Sequence, residues 1–356
     1  MSLDAEATAR RNAALRLAFG IVVGLLIETV RGAALPTLAP IIAVQLLAAI
    51  PRPPGMKLIA MLLVVSAAAS ALAYSVGVLT EDDPLSYAIG VGLLYLWGFT
   101  LAFTPKLAPV GVMVITMTVV ITGISASSTG AALEIMISLI QSVVLGFLIV
   151  MLAHAVLPPR VVPAPAGKGA GKEAGSDQRL DALPATFRAL VATIVILPAH
   201  LYLFAHGTGS ILVLMTVATM LRQPGIDASA RYVASFAAGN LVGAAVAALA
   251  MLLVSTQQSG AVMVAVTLVA ALFLATLSAQ GPLWRAAMIP GMVAFVVLYG
   301  LIYSPYVDTK EVSVTARAGM IVTGALYALG AVSVLAPLVV RSLRRRGGRH
   351  AGLSAP

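Results

Sequence analysis

Within the long apolar runs of this sequence only Glu28, Glu134, His154 and His200, with His206 close by, can exchange a proton. An ionisable group in such a run is costly enough to mark a functional site by default. Glu28 and His200 are 172 residues apart, a spacing that recurs below, and an acid and an imidazole at matching depth in two halves can take up and release protons as the halves rock. The competing reading pairs Glu28 with Arg31 at i+3 and leaves His200 as a hydrogen-bonded residue near a helix end. Asn240 places an amide in a further apolar run, where it needs a partner or faces a cavity. It lies in Gly239-Asn240-Leu241-Val242-Gly243, which, like Gly20 to Gly24, has the small-x-x-x-small spacing that lets helix backbones approach closely.

Two further places suit ligand chemistry. The run Leu35 to Ile50 contains Pro36 and Pro40, and the run Gly209 to Leu221 follows Gly207-Thr208-Gly209, with Ser210 near its start. Both are shorter than the roughly 20 residues that cross a bilayer. Interrupted segments at matching positions of two halves point to a transporter's binding site, because a broken helix turns free N–H groups and a positive dipole end toward an anion. Tilted or re-entrant packing helices explain the same pattern. Arg52, Arg222, Asp227 and Arg231 lie in connecting loops, where they form either a cytoplasmic gate of charge pairs or ordinary turns.

The elements that hold these groups follow from composition. The chain has 356 residues, 60% hydrophobic and 10% charged, with mean hydropathy +1.02, against roughly 45–50% apolar and 25% charged in soluble domains. A soluble fold is excluded, and the net charge of +9 bears on membrane orientation rather than on nucleic acid. No cysteine is present, so disulfides, thiolate metal sites and cysteine nucleophiles are ruled out.

Apolar runs between polar breaks predict twelve helices, over about 15–31, 35–50, 58–79, 86–104, 107–124, 132–155, 185–205, 209–221, 231–255, 260–278, 285–303 and 316–340. Glu28 and Arg31 stand where a signal peptide would need small residues for cleavage, so the first run reads as a span. Residues 158–184, rich in proline and then in glycine, lysine and polar residues, read as a flexible cytoplasmic linker. With the N-terminus inside, 19 of the 22 basic residues fall on the inner side and only Arg31, Lys310 and Arg317 on the outer. That asymmetry places the linker and both termini in the cytoplasm. The tail 341–356 reads as a positive-inside stop signal. Trp97, Trp284 and several tyrosines near span ends read as an interfacial belt.

Arg52-Pro53-Pro54-Gly55 and Arg222-Gln223-Pro224-Gly225 repeat R-x-P-G at an offset of 170 residues, and Ala14-Leu15-Arg16 answers Thr186-Phe187-Arg188 at 172. The expected architecture is therefore all-α, with about 12 transmembrane helices in two parallel six-helix repeats: 1–157, then the linker, then 185–340. Enzyme motifs are absent. The glycine-rich stretch at Lys168 and Lys172 lacks the first glycine and the Ser/Thr of a P-loop, and no metal or hydrolase signature occurs, so neither an enzyme nor a cofactor is expected.

Ala14-Leu15-Arg16-Leu17-Ala18-Phe19-Gly20 with Leu38-Ala39-Pro40, Leu152-Ala153-His154-Ala155 before Pro158, Ala218-Thr219-Met220-Leu221-Arg222-Gln223-Pro224, and Gly239-Asn240-Leu241-Val242-Gly243 together resemble the fusaric acid resistance and aromatic acid exporter superfamily, in particular its short bacterial branch. The resemblance covers about residues 10 to 340. It implies a bacterial inner-membrane subunit that exports aromatic carboxylates or similar small acids, working with a periplasmic adaptor and an outer-membrane channel. The expectation is a proton-coupled exporter of small aromatic or amphipathic organic acids, with possible homo-oligomerisation and no nucleic-acid partner. The alternative is a non-transporting membrane anchor of an envelope assembly, for which the loop Ser304 to Arg317 would be the docking surface.

Overall fold

The structure is a computed structural model. It describes residues 3–33, 35–50, 52–80, 82–125, 129–158, 184–204, 211–222, 230–256 and 259–300, together with 319, 323–324, 326–328 and 330–331. The described residues form eleven α-helices and no strand: α1 Leu3–Arg31, α2 Leu38–Ala49, α3 Met56–Leu79, α4 Pro84–Ala102, α5 Ala108–Ser125, α6 Thr129–Val156, α7 Ala185–Phe204, α8 Ile211–Leu221, α9 Ala230–Thr256, α10 Gly260–Ser278 and α11 Pro282–Gly300. Eight of them, all but α2, α5 and α8, are long and apolar enough to cross a membrane. The chain is thus an α-helical polytopic membrane protein. The predicted linker, the basic tail and most of the predicted twelfth helix lie outside the described residues, although Gly319, Thr323, Gly324 and Leu326–Ala328 within it are helical.

Helix ends follow from local chemistry. α1 begins twelve residues before its apolar run, because Leu3 to Ala14 contains alanines, arginines and a glutamate, which favour a helix without needing a membrane. It stops at Gly32, whose φ of 64° suits glycine. There the N–H of Ala33 bonds the Glu28 carbonyl at 3.0 Å and that of Gly32 the Thr29 carbonyl at 3.1 Å, a Schellman closure. Pro36 lies in the turn before α2. Pro40 lies in the first turn of α2, where its missing N–H leaves no intrahelical bond unmade. α4 starts at Asp83, whose side chain accepts from the Leu85 N–H at 3.1 Å and from the Ser86 hydroxyl, with Pro84 at the first helical position. The Ser86 hydroxyl and the two backbone donors hold the Asp83 carboxyl below the usual carboxylate range.

Contacts divide the chain into two units that interleave in sequence. One unit contains α1, α2, the first half of α3, α6, α9, α10 and α11. Here α1 packs on α2 and α10, and α11 packs on α9, α10 and α2. The other contains the second half of α3, α4, α5, α7 and α8, with α4 packed on α5 and α7, and α8 on α5 and α7. Large apolar side chains such as Val30, Val64, Leu85 and Val269 point outward, as a lipid-facing surface permits.

The tightest contact is α9 on α11. A Cβ at Gly239 would lie 1.8 Å from the Ala287 carbonyl oxygen, and one at Gly243 would lie 2.0 Å from that of Gly291. The two backbones touch, as small-x-x-x-small packing allows. Gly243→Val should therefore force the helices apart, at about 1–3 kcal/mol for overpacking. Gly260→Ala, where nothing lies within 4 Å, should be neutral. Thermal unfolding of the purified protein in detergent, followed by size-exclusion chromatography, reads the difference.

Candidate functional site

Glu28 lies in the last turn of α1, and the Schellman closure at Gly32 fixes the backbone beside it. Its side chain is fully buried, at 0% exposure. Oε2 accepts from Arg31 Nη2 at 2.6 Å, so the i+3 pair is real and one of its members is cut off from solvent. Arg31, with 30% of its side chain exposed, also reaches α6. Its Nη1 donates to Gln141 Oε1 at 2.8 Å and its Nη2 to Ser142 Oγ at 3.1 Å, while Ser142 donates to the Ser138 carbonyl at 2.9 Å. One guanidinium thus ties the end of α1 to the middle of α6. Glu28 Oε1 is left buried with no hydrogen-bond partner among the described residues, so this carboxylate has one satisfied and one open oxygen.

His200 lies two residues after Pro198, which removes the helical bond to the Ile194 carbonyl inside α7. The imidazole has 0% exposure and is held at both nitrogens. The Tyr95 hydroxyl lies 2.7 Å from Nδ1, with the Tyr87 hydroxyl at 3.0 Å and the Thr122 hydroxyl at 3.3 Å from Nε2. Donor accounting assigns the proton. Tyr87 donates to the Thr122 carbonyl at 3.1 Å and the Thr122 hydroxyl to the Thr118 carbonyl at 2.5 Å. Nε2 must then carry a hydrogen toward Tyr87, and Nδ1 must accept from Tyr95. Tyr95 also meets the ring edge-on, with centroids 5.6 Å apart.

These partners were not singled out from the sequence. Both Tyr87 and Tyr95 are buried, and Asp83 and Pro84 start α4 so that the two tyrosines, eight residues apart, share a face. Among the signals available, Gln141-Ser142 is the one adjacent polar pair in the apolar run of α6.

The other candidates fare differently. Glu28 lies in one unit and His200 in the other, each with its own partners. Asn240 is buried and bonds back to its own helix, Nδ2 to the Phe236 carbonyl at 2.9 Å. Arg52 is exposed. Arg222 Nη2 donates to Thr219 Oγ1 at 3.1 Å, and its Nε is buried with no partner among the described residues. His206, Gly207, Gly209, Ser210 and Asp227, together with the Arg231 side chain, lie outside the described residues. No cluster of metal-ligating side chains occurs among the described residues.

Residues 13–153, from the first apolar turns of α1 to the last turn of α6, match a membrane-protein family described as Protein of unknown function (DUF2955). No curated protein and no solved structure matches the chain.

Breaking a buried pair leaves an uncompensated charge, whereas neutralising it does not. Arg31→Met should therefore destabilise the protein by about 1–3 kcal/mol through the orphaned Glu28 carboxylate. Glu28→Gln should cost less, and adding it to Arg31→Met should recover most of the loss. A double-mutant cycle of thermal unfolding in detergent measures this. For His200, nitrogen NMR of histidine-labelled protein should show a protonated Nε2 and a bare Nδ1 at neutral pH, with the Nδ1 resonance moving in Tyr95→Phe.

Proposed function

We propose that the chain is a proton-coupled efflux transporter of the bacterial inner membrane, exporting small aromatic or amphipathic organic acids with a periplasmic adaptor and an outer-membrane channel. The observation that carries this reading is a pair of fully buried proton-exchanging groups, Glu28 in one unit and His200 in the other, each embedded in polar partners inside an apolar chain. Buried ionisable groups in spans are the usual elements of proton relays. Arg31 supplies a link from charge to motion. It holds Glu28 and α6 at once, so a proton that replaces the guanidinium at Glu28 frees Arg31 and with it the contact between α1 and α6.

α2 supports a binding role. At 12 residues it spans about 18 Å, against about 30 Å of hydrocarbon, and most of it is buried. A short helix enclosed by others has the form of a broken segment at a substrate site.

We also propose the two parallel six-helix repeats, 1–157 and 185–340. In this reading the first helix of each repeat packs on the fourth of the other. α1 lies on α10 and α7 on α4, and likewise α2 on α11 and α8 on α5. The family match ends with α6, where the first repeat ends. The substrate class and the cytoplasmic termini rest on the sequence likeness and on the distribution of basic residues.

The test is retention of labelled aromatic monocarboxylates in cells with and without the protein, the adaptor co-expressed, before and after an uncoupler. The expected result is lower retention that the uncoupler abolishes and that Glu28→Gln or His200→Gln reduces at least tenfold in rate. Equal retention with the protein in the membrane would favour the anchor reading.

A further inference from the structure

Two basic side chains in the unit that contains α2 are buried with nitrogens that find no partner. Arg16 of α1 is 9% exposed and His154 of α6 is 4% exposed, and both Arg16 Nη1 and His154 Nε2 are buried without a hydrogen bond among the described residues. An unpaired buried guanidinium is among the costliest arrangements a protein can hold. Each lies on a four-residue stripe that meets α2. On α1 the stripe is Arg16, Gly20, Gly24, Glu28; on α6 it is Ser142, Gly146, Val150, His154.

The glycines fix the register. A Cβ at Gly24 would lie 2.9 Å from Pro40, and one at Gly20 would lie 3.0 Å from Leu47 and 3.3 Å from Ala43, so α1 runs antiparallel to α2. A Cβ at Gly146 would lie 2.9 Å from Ile42 and 3.2 Å from the Ala39 carbonyl. Arg31 bonds Gln141 and Ser142 near the start of α2, so α6 runs parallel to it. At 1.5 Å per residue, Arg16 lies about 6 Å beyond Gly20 and His154 about 12 Å beyond Gly146. Both steps end level with Ala48 and Ala49, the last residues of α2. Near the start of α2 the Glu28 carboxylate and the Arg31 guanidinium neutralise each other, with only Glu28 Oε1 left open, whereas its end has two orphan nitrogens and no carboxylate among the described residues.

Arg188, at the matching place of α7, shows what a satisfied arginine looks like here. Its guanidinium lies 4.4 Å over the ring of Phe103, the residue that closes α4. The residue that closes α10, on which α1 packs, is Ala279, so Arg16 has no such ring.

We propose that Arg16 and His154 form a binding site for the carboxyl group of a small organic acid at the C-terminal end of α2. His154 Nδ1 lies 2.9 Å from the Val150 carbonyl, to which it must donate, so in the neutral ring Nε2 presents a bare lone pair. The site thus offers a cationic donor and a neutral acceptor. A carboxylic acid matches both: its carbonyl oxygen accepts from Arg16 and its O–H donates to Nε2. The carboxylate therefore enters with one proton, which lies between its oxygen and Nε2. A lipid phosphodiester is anionic but has no O–H to give. Among the described residues, further charged groups at this end are Arg285 of α11, whose Nη2 donates to the Ala48 carbonyl at 2.7 Å, and the exposed Arg52, three residues beyond α2; α2 contains no titratable residue. The site rests on the exporter reading for its natural ligand, but its chemistry is independent of transport.

The test uses the full chain in phosphate-free maltoside detergent with sodium benzoate as probe. In the wild type, benzoate should shift the His154 Nε2 resonance, assigned by its loss in His154→Gln, raise the unfolding temperature, and take up close to one proton per benzoate bound. Arg16→Gln should weaken benzoate binding at least tenfold and, because it removes an unpaired charge, should fold at least as stably as the wild type without ligand. Arg16→Lys should bind with intermediate strength and Lys57→Gln, an exposed cation on α3, like the wild type. Benzoate that leaves His154 unmoved, or that binds Arg16→Gln as tightly as the wild type, overturns the proposal. So does stabilisation by millimolar inorganic phosphate or phosphatidylglycerol where benzoate has no effect. Export that survives Arg16→Gln removes this site and leaves the exporter reading standing; benzoate bound at Arg16 without export removes the exporter reading and leaves the site.

Discussion

Inside hydrocarbon no water repairs an unpaired polar atom, so each hydroxyl, amide and charge in a span must find its partner within the protein. Most side chains here obey by the shortest route. Thr116, Thr118, Thr193, Thr219 and Thr267 return their hydroxyls to the carbonyl four residues earlier, at distances from 2.7 to 2.8 Å, a local bond that asks nothing of neighbouring helices. Asn240 does the same with its amide. Groups that cannot close on their own helix are the ones that tie helices together. His200 draws α4 and α5 to α7 through Tyr87, Tyr95 and Thr122, and Arg31 draws α6 to α1.

The same constraint governs the glycines. Without a hydrophobic force between helices in lipid, association depends on close packing. Gly239 and Gly243 bring α9 onto the backbone of α11, and Gly20, Gly24 and Gly146 bring α1 and α6 onto α2. α2 has so few residues that it gains its place from these contacts rather than from its own length. Its prolines help in a specific way: Pro36 stays in the turn and Pro40 enters the helix only where no hydrogen bond is lost.

The helices were legible in the sequence because each span is an apolar run bounded by proline, glycine or charge, and the described elements follow the expected runs to within a few residues. The start of α1 was not, since hydropathy detects a membrane crossing and is blind to a helix that continues through Ala5 to Ala14. The i+3 pairing of Glu28 and Arg31 was readable from spacing alone. Its extension to Gln141 and Ser142, and the cage around His200, depend on residues 78 to 113 positions apart, which no local pattern encodes. Tyr95 shows the difficulty: in the middle of an apolar run it carries no local signal of its partner, and only the packing of α4 on α7 sets it, fully enclosed, against His200.

The interleaving of the two units has a consequence for how force passes along the chain. Because α1 packs on α10 and α4 on α7, neither unit is built from one continuous stretch of sequence. Glu28 is tied to helices from both ends of the chain: to α1 and α6 through Arg31, and to α10 through its packing on α1. A pair of independent bundles would confine such ties to one segment. Shared helices make each unit a composite, and the short helix α2 lies in contact with both the early and the late part of the chain. Under the proposed exporter reading, that connectivity favours concerted movement of whole units over the loosening of a single loop.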